Sequence, residues 1–348
     1  SVTPTSDGIT VRQHHSFVKL PDDDFEPRSF DPRAGYFGIS YQDYSTPVSE
    51  SLTKRFITKH RLKKKNPDAE MSEPVEPIVY YLDPGTPEPI RGALLDGARW
   101  WNEAFEAAGY QDAFRVEVLP DSAHPMDVRY NMINWVHRST RGWSYGSSVV
   151  DPRTGEIIKG HVLLGSLRVR QDYLIAEGLL SPYKEGANFE KNDPMLEMAL
   201  ARIRQLSAHE IGHTIGLAHN FAASPNSRAS VMDYPAPKVN ITQDSTLDLS
   251  DAYDTGIGEW DKVTIEYGYK DVTGLPSEKA ALNNILQNAI DDGLLFISDS
   301  DARPAGGAHP KAHLWDNGED SIDQLHHILD VRDIALKNFS ESKIPQGT

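Results

Sequence analysis

Five residues between positions 209 and 219 have the types and the spacing of a catalytic metal site. The stretch HEIGHTIGLAH places His209, His213 and His219 at intervals of four and six residues, and Glu210 directly follows the first histidine. On a helix, residues four apart lie one turn above each other on the same face, so His209 and His213 can bind one metal ion. Three neutral histidine nitrogens with an open fourth position are typical of a catalytic zinc ion rather than a structural one.

The two other residues of this stretch complete the predicted chemistry. Glu210 cannot share the ligand direction of His209, but it can reach a water on the same metal, where a general base is needed. Gly216 can adopt the left-handed conformation that ends a helix, which would turn the chain so that His219 becomes the third ligand. Zinc lowers the pKa of its water to about 7, so we expect a hydrolase in which Glu210 removes the proton.

A long helix must position the first two histidines. Asp193 is a typical N-cap residue and Pro194 suits the first helical position. An apolar face then leads into His209, which predicts a rigid helix from about Pro194 to Gly216. The segment 165–191 before it reads as a helical or looped insertion whose role the sequence does not define.

The composition limits the classes of function. A chain of 348 residues with 39% apolar residues can form two or three domains, each with a core. The net charge of −16 argues against a nucleic-acid partner, because phosphate backbones need basic surface. The absence of cysteine excludes disulfides and thiolate chemistry in this segment, and no apolar run reaches the roughly 20 residues of a membrane span.

Hydrophobic periodicity divides the chain into three parts of an α+β protein. Residues 1–75 read as a β-rich lead-in that is part of a larger upstream domain, with strands at 9–20, 36–44 and 55–60. Residues 76–240 read as the catalytic domain, with strands at 78–82, 114–119, 128–136, 145–150 and 157–164, and with one helix from residue 90 to about Gly109. Residues 241–348 read as a helical extension, with helices at 259–267, 277–291 and 320–339.

One of these strands is a candidate for substrate binding. A strand at the edge of the sheet beside the metal could pair with an extended substrate through backbone hydrogen bonds. The residues predicted to form it are Tyr145, Gly146, Ser147, Ser148, Val149 and Val150.

Other clusters of histidines and charges are weaker candidates. His14 and His15 are adjacent, so on a strand they would point to opposite faces. His309 and His313 repeat the four-residue spacing, but Pro310 predicts a loop there. The lysines 63–65 favour a solvated linker over a polyanion site, and the aspartates 22–24 favour a solvated loop over a segment that silences the metal.

With HEIGHTIGLAH and the later SVMDYP both in view, the chain resembles the metzincin clan of zinc endopeptidases. The resemblance implies a metzincin-like fold, a mixed twisted sheet with a long active-site helix, and one catalytic zinc ion. It also implies that Met232 forms a tight turn beneath the metal. In two branches of the clan a tyrosine two residues after this methionine stabilises the transition state, and Tyr234 stands at that place; a packed tyrosine is the alternative.

Residues 129–180, the histidine motif and the stretch IGEWDKVTIEYGY at 257–269 carry a wider resemblance. It extends over residues 30–340 to an uncharacterised group of large bacterial zinc-dependent metalloproteases. It implies a catalytic core from a longer, exported protein, with an extracytoplasmic (periplasmic or secreted) location and a protein or peptide substrate. Ser1 follows no methionine or signal-like segment, in keeping with a piece of a longer chain. Two alternatives stay open: a zinc-stabilised binding or adhesion module with a relic site, and a hydrolase of a non-peptide amide or ester. Oligomeric state is not predicted.

Overall fold

A computed structural model of the chain describes residues 7–8, 13–138, 143–180, 183, 193–307 and 309–344. The strands are β1 (Gly38–Gln42), β2 (Thr53–Ile57), β3 (Ile78–Leu82), β4 (Phe114–Val118), β5 (Asn131–Val136), β6 (Tyr145–Val150), β7 (Ile157–Gly165), β8 (Asn240–Ile241) and β9 (Leu247–Asp248). The helices are α1 (Ile90–Arg99), α2 (Trp101–Ala107), α3 (Leu167–Leu179), α4 (Pro194–Thr214), α5 (Glu259–Tyr269), α6 (Glu278–Asp291), α7 (Asp299–Ala302) and α8 (Ser321–Lys337). Short 3₁₀ turns lie at Ser224–Asn226 and Glu341–Lys343.

The main sheet has five strands in the order β4-β3-β5-β7-β6. The first three neighbouring pairs are parallel, and β6 pairs with β7 in the antiparallel direction through the hairpin at residues 151–156. The outer edge of β6 is paired with no other strand in the described part of the chain. The predicted α+β class with a mixed sheet and a long helix is therefore confirmed, and β6 is the edge strand.

The long helix α4 packs against α1 at very short distance. A Cβ on Gly97 would lie 1.9 Å from the carbonyl oxygen of Arg204, so only glycine allows this approach. Ser207 Oγ donates to Leu94 O at 2.8 Å, and Trp101 Nε1 donates to Ala208 O at 2.8 Å. These buried contacts fix the position of the helix just before His209.

Both ends of α4 follow the sequence prediction. The Asp193 carboxylate accepts hydrogen bonds from the backbone of Met195 and Leu196, and Pro194 begins the helix. The helix ends at Thr214, two residues before Gly216, and its second half is buried on all sides. Burial of this kind gives the side chains of this half one defined orientation.

Three predicted elements differ from the structure. The strand predicted at residues 9–20 is absent at residues 13–20, which are exposed because no described strand covers their apolar side chains, and residues 9–12 lie outside the described residues. The single helix predicted from residue 90 is two helices, since the amide of Trp100 bonds to Gly97 O and tightens the chain between α1 and α2. The strand predicted from residue 128 begins at Asn131, because Arg129 forms a turn with the carboxylate of Asp127.

Candidate metal centre

The first two histidines occupy successive turns of α4. The ring centroids of His209 and His213 are 4.8 Å apart, and both side chains are buried. The ring of Phe37 lies 5.8 Å from that of His213 and covers it on the side of the lead-in. The helix therefore presents both rings towards the same point, as the spacing of four residues predicts.

A glycine turn brings the third histidine back to this point. Gly216 has φ +109°, the left-handed conformation predicted for it, and a Cβ there would lie 2.0 Å from Thr58 O. Residues 216–218 also pair with the lead-in, because Phe37 N donates to Gly216 O and Ala218 N donates to Gly35 O, both at 2.8 Å. The N-terminal segment thus holds the turn between the second and third histidines.

The three histidines form one cluster. One ligand atom from each of His209, His213 and His219 lies within 4.8 Å of the others, and the Nε2 atoms of His213 and His219 are 3.2 Å apart. The described residues contain no other group of three or more histidines and carboxylates that could hold a metal ion. The sequence prediction that these three side chains converge is therefore met by the geometry.

Each of the three rings has an oxygen acceptor for its other nitrogen. His209 Nδ1 lies 2.7 Å from Val231 O, His213 Nδ1 lies 2.8 Å from Leu217 O, and His219 Nδ1 lies 2.6 Å from an Asp299 carboxylate oxygen. Because each Nδ1 donates to oxygen, each Nε2 carries the free lone pair that a metal ion requires. Three neutral nitrogens anchored in this way suit Zn²⁺ well.

Burial keeps these rings in the neutral form. It lowers the pKa of His209 well below the usual value, that of His213 to about 4, and that of His219 less. Neutral imidazoles bind a metal ion without first losing a proton. Both the tautomer and the charge state therefore favour metal binding at neutral pH.

Glu210 lies beside the histidines and is buried, with 5% of its surface exposed. Burial raises the pKa of its carboxyl group to about 8, and two smaller effects oppose this: the charge of Arg202 and a hydrogen bond from the backbone of Gly146. A Cβ on Gly146 would lie 2.1 Å from Glu210 O, so β6 passes directly over this part of the helix. The candidate base and the edge strand are therefore in contact.

Met232 packs beneath the helix, against Gly212. A Cβ on Gly212 would lie 2.2 Å from its sulfur, and the side chain is 1% exposed. Asn220 N donates to Met232 O, and the Asn220 side chain bonds to Leu295 and Ile297. Asn220 thus joins the methionine turn to the C-terminal region.

Asp261 supports the same turn from α5. Its carboxylate accepts hydrogen bonds from Ser230 Oγ at 2.6 Å, from Val231 N at 2.8 Å and from Gly258 N at 2.9 Å. Val231 O is the acceptor of His209 Nδ1, so Asp261 acts on the first histidine through the backbone of Val231. It is a positioning residue that the sequence analysis did not identify.

Tyr234 is half-buried against the histidine rings. Its ring centroid is 4.6 Å from that of His219 and 5.3 Å from that of His209, and it stacks on Trp315 at 5.1 Å. Burial raises the pKa of its hydroxyl, which therefore stays protonated and able to donate at neutral pH. The position suits a donor to a substrate, while the contact with Trp315 also gives the ring a packing role.

Asp299 is the most consequential residue that the sequence analysis missed. Its second carboxylate oxygen accepts a hydrogen bond from Arg303, the residue after α7, at 2.9 Å, and this bond holds Asp299 in place beside His219. Asp299 is 80 residues from His219, and no local pattern marks it. The rule that a metal-binding histidine needs an acceptor for its other nitrogen could have prompted a search for such a carboxylate, without identifying which one.

The weaker candidates lie outside the cluster. His14 and His15 are exposed and bond to Ser16 and Gln13, while Lys311 N donates to His309 in a turn and His313 Nδ1 donates to Leu314 O. In the segment 22–24, two carboxylates pair with Arg61 and Arg153. The three lysines 63–65 bond to oxygens of Asp24, Ala69, Glu70 and Glu73.

The long helix, the mixed sheet and the histidine cluster define a zincin-type metal domain. Residues 191–348 match the family described as Met-zincin. Residues 1–65 match a family described as a domain of unknown function (DUF5117). A search of curated proteins found no match to this chain. The Met-zincin match extends across position 240, so the boundary placed there remains a prediction.

No helix among the described residues is long and apolar enough to cross a membrane.

Proposed function

We propose that this protein is a zinc-dependent endopeptidase in which Glu210 is the general base. One observation carries the proposal: the three Nε2 atoms converge, each Nδ1 donates to an oxygen, and a glutamate lies beside them on the same helix. The Met-zincin match supports the class of domain. A binding module would need the anchored histidines but would not need a buried carboxylate at this position.

When bound, zinc supplies Lewis acidity to the water and to the scissile carbonyl. With the metal site occupied, the positive charge beside Glu210 would favour its ionised form over the protonated form that burial alone stabilises. The Glu210 carboxylate would then take the proton from the attacking water and pass it to the nitrogen of the leaving amine. The Tyr234 hydroxyl donates a hydrogen bond to the oxygen that becomes negative as the carbonyl carbon turns tetrahedral. Asp299 and Val231 O keep two of the histidine rings oriented throughout.

The edge strand β6 supports a peptide as the substrate. Its outer edge is unpaired within the described residues, and Gly146 lies over Glu210. An extended peptide added to this edge would bring its backbone to the base, and backbone pairing favours peptides over esters of other shapes. The proposed location of the protein is extracytoplasmic, which the resemblance to large bacterial metalloproteases supports and fractionation of host cells would test.

The decisive experiment compares Glu210→Gln with the unchanged protein on an unstructured protein mixture. We expect cleavage to fall about 10²- to 10⁴-fold, the contribution of a general base, while elemental analysis still gives one zinc per chain. Glu197→Gln, on an exposed position of the same helix, is the matched control and should cleave normally. A chelator should stop all cleavage.

Other outcomes would support the other functions. Zinc bound at one per chain with no cleavage of any protein would favour a binding module. Hydrolysis of small esters or amides without cleavage of peptides would favour a non-peptide hydrolase. Full activity in Glu210→Gln would refute the role of Glu210.

Tyr234→Phe tests the second catalytic assignment. Removing one donor to the oxyanion should lower kcat by about 10²-fold with zinc retained. An unchanged kcat would leave Tyr234 with packing against Trp315 only.

A further inference from the structure

A cavity on the side of the lead-in has no part in the proposed peptidase reaction. It measures about 230 Å³ and lies between the segment before β1, the segment after β2 and the end of α5. None of the three histidines of the cluster lines it. Its lining combines residues from the two parts of the chain that match different families.

Lys59 is the central residue of this cavity. Only 7% of its surface is exposed, and its Nζ lies 5.0 Å from the ring centre of Phe25 and 5.7 Å from that of Tyr269. Within the described ranges, no oxygen accepts a hydrogen bond from this ammonium group, and no carboxylate pairs with it. Burial lowers the pKa of Lys59 to about 7. A buried ammonium group without an acceptor is costly, and a bound anion would remove that cost.

Arg28 contributes a second donor without an acceptor. Its Nη2 donates to Lys270 O at 2.9 Å, but its Nη1 is buried and has no hydrogen-bond partner among the described residues. The neighbouring cations differ: Arg61 forms two hydrogen bonds with Glu156, and Lys64 donates to two carbonyl oxygens. Two unsatisfied cationic donors therefore line one cavity whose other cations are already paired.

The charge around the cavity is opposite to that of the whole protein. Six lysine and arginine side chains line it, against the carboxylates of Glu26 and Asp271, although the chain has a net charge of −16. Convergent positive charge around a cavity favours an anion with more than one negative charge. Guanidinium and ammonium donors suit the oxygens of phosphate and carboxylate groups.

We propose that this cavity binds a small oxyanion with two negative charges, such as a phosphate group, and that Lys59 and Arg28 are its principal ligands. The site is separate from the metal centre but touches its support. Tyr269, whose ring lies beside Lys59, accepts a hydrogen bond from His60 N and donates one to Ile215 O, in the turn that leads to His219. The bound anion would therefore stabilise the contact between the lead-in and the ligand turn.

The test measures binding of inorganic phosphate to the full chain loaded with zinc, by calorimetry and by thermal melting at constant ionic strength. Saturating phosphate should raise the melting temperature by about 2–4 °C, as expected for a ligand that binds only the folded state. Sodium chloride should give no such rise. A parallel titration with succinate distinguishes a phosphate group from a dicarboxylate as the preferred oxyanion. No binding of either dianion would overturn the proposal.

The variant Lys59→Met removes the charge and keeps the apolar stem. We expect it to abolish the effect of phosphate and to melt, without phosphate, at the temperature of the unchanged protein or above it, because an unsatisfied buried charge has gone. Lys279→Met, at an exposed position on α6, should keep the full phosphate effect.

The opposite results are equally clear. A phosphate effect that persists in Lys59→Met would place the ion elsewhere, for example at the metal, and would refute the site. A lower melting temperature in Lys59→Met together with an unchanged response to phosphate would leave Lys59 a purely structural role. If Lys59→Met does not fold, Arg28→Met provides the same comparison.

Discussion

His209 and His213 lie on one helix, whereas His219 lies on a loop that several distant segments hold in place. The helix has its own N-cap and packs on α1 and α3. The loop bonds to residues 35–37, to Met232 and to Asp299, and its turn lies against Thr58. The metal site therefore combines two histidines that one helix holds by itself, His209 and His213, with a third, His219, whose position depends on the complete fold.

Of the changes considered, Gly216→Ala should disturb the loop that carries His219 most severely. The left-handed φ costs an alanine about 1–3 kcal/mol, and the clash with Thr58 O adds to this. We expect the melting temperature to fall by several degrees and zinc to be bound weakly. Gly274→Ala is the control, because Gly274 has φ +78° with nothing within 4 Å of a Cβ. Equal losses in the two variants would show that the contact with Thr58 is unimportant.

Asp261→Ala should weaken the support beneath the two histidines on α4. It leaves three donors without their acceptor, two of them at the methionine turn, and we expect a loss of roughly 3 kcal/mol in the free energy of unfolding. Chemical denaturation measures this loss. Asp301→Ala, at an exposed position that makes no contact with the turn, should leave the unfolding midpoint unchanged. A stable Asp261→Ala variant would mean that water replaces the carboxylate.

Asp299→Asn should affect only His219, the histidine on the loop. The amide accepts less strongly than the carboxylate from His219 Nδ1, so we expect zinc affinity to fall about 10- to 100-fold with little change in stability. Competition with a chelator measures the affinity. The control is Asp301→Asn, two residues away on the same short helix. Unchanged affinity in Asp299→Asn would show that the backbone alone orients His219.

Asp193→Ala should have the smallest effect on the site. Losing the N-cap costs about 1 kcal/mol of stability, but the cap lies far along the helix from the histidines, so zinc affinity should not change. Asp320→Ala removes the equivalent cap of α8 and should cost a similar amount. If zinc affinity fell in Asp193→Ala but not in Asp320→Ala, His209 and His213 would be held less rigidly than the packing of α4 indicates.

The sequence predicted the helix with His209 and His213 almost completely, and the loop with His219 only in outline. The cap at Asp193, the helix and the two histidines depend on contacts within a few residues, which local patterns encode. The turn at Gly216 was predicted for the same reason. Asp299, Asp261 and Phe37 come from distant parts of the chain, and their roles depend on packing that no local spacing describes. At the exposed residues 13–20 the local pattern predicted a strand that does not form. A strand also needs a neighbouring strand to pair with, and a local pattern does not show whether one is present.

The backbone pairing of residues 35–37 with residues 216–218 has a consequence for biosynthesis. The third histidine takes its place only after segments nearly two hundred residues apart have met, and Asp299 must follow from still later in the chain. Contacts of such long sequence separation form late in folding. We therefore expect a growing or truncated chain to lack a complete metal site, and so to lack the proposed peptidase activity until the whole fold has formed.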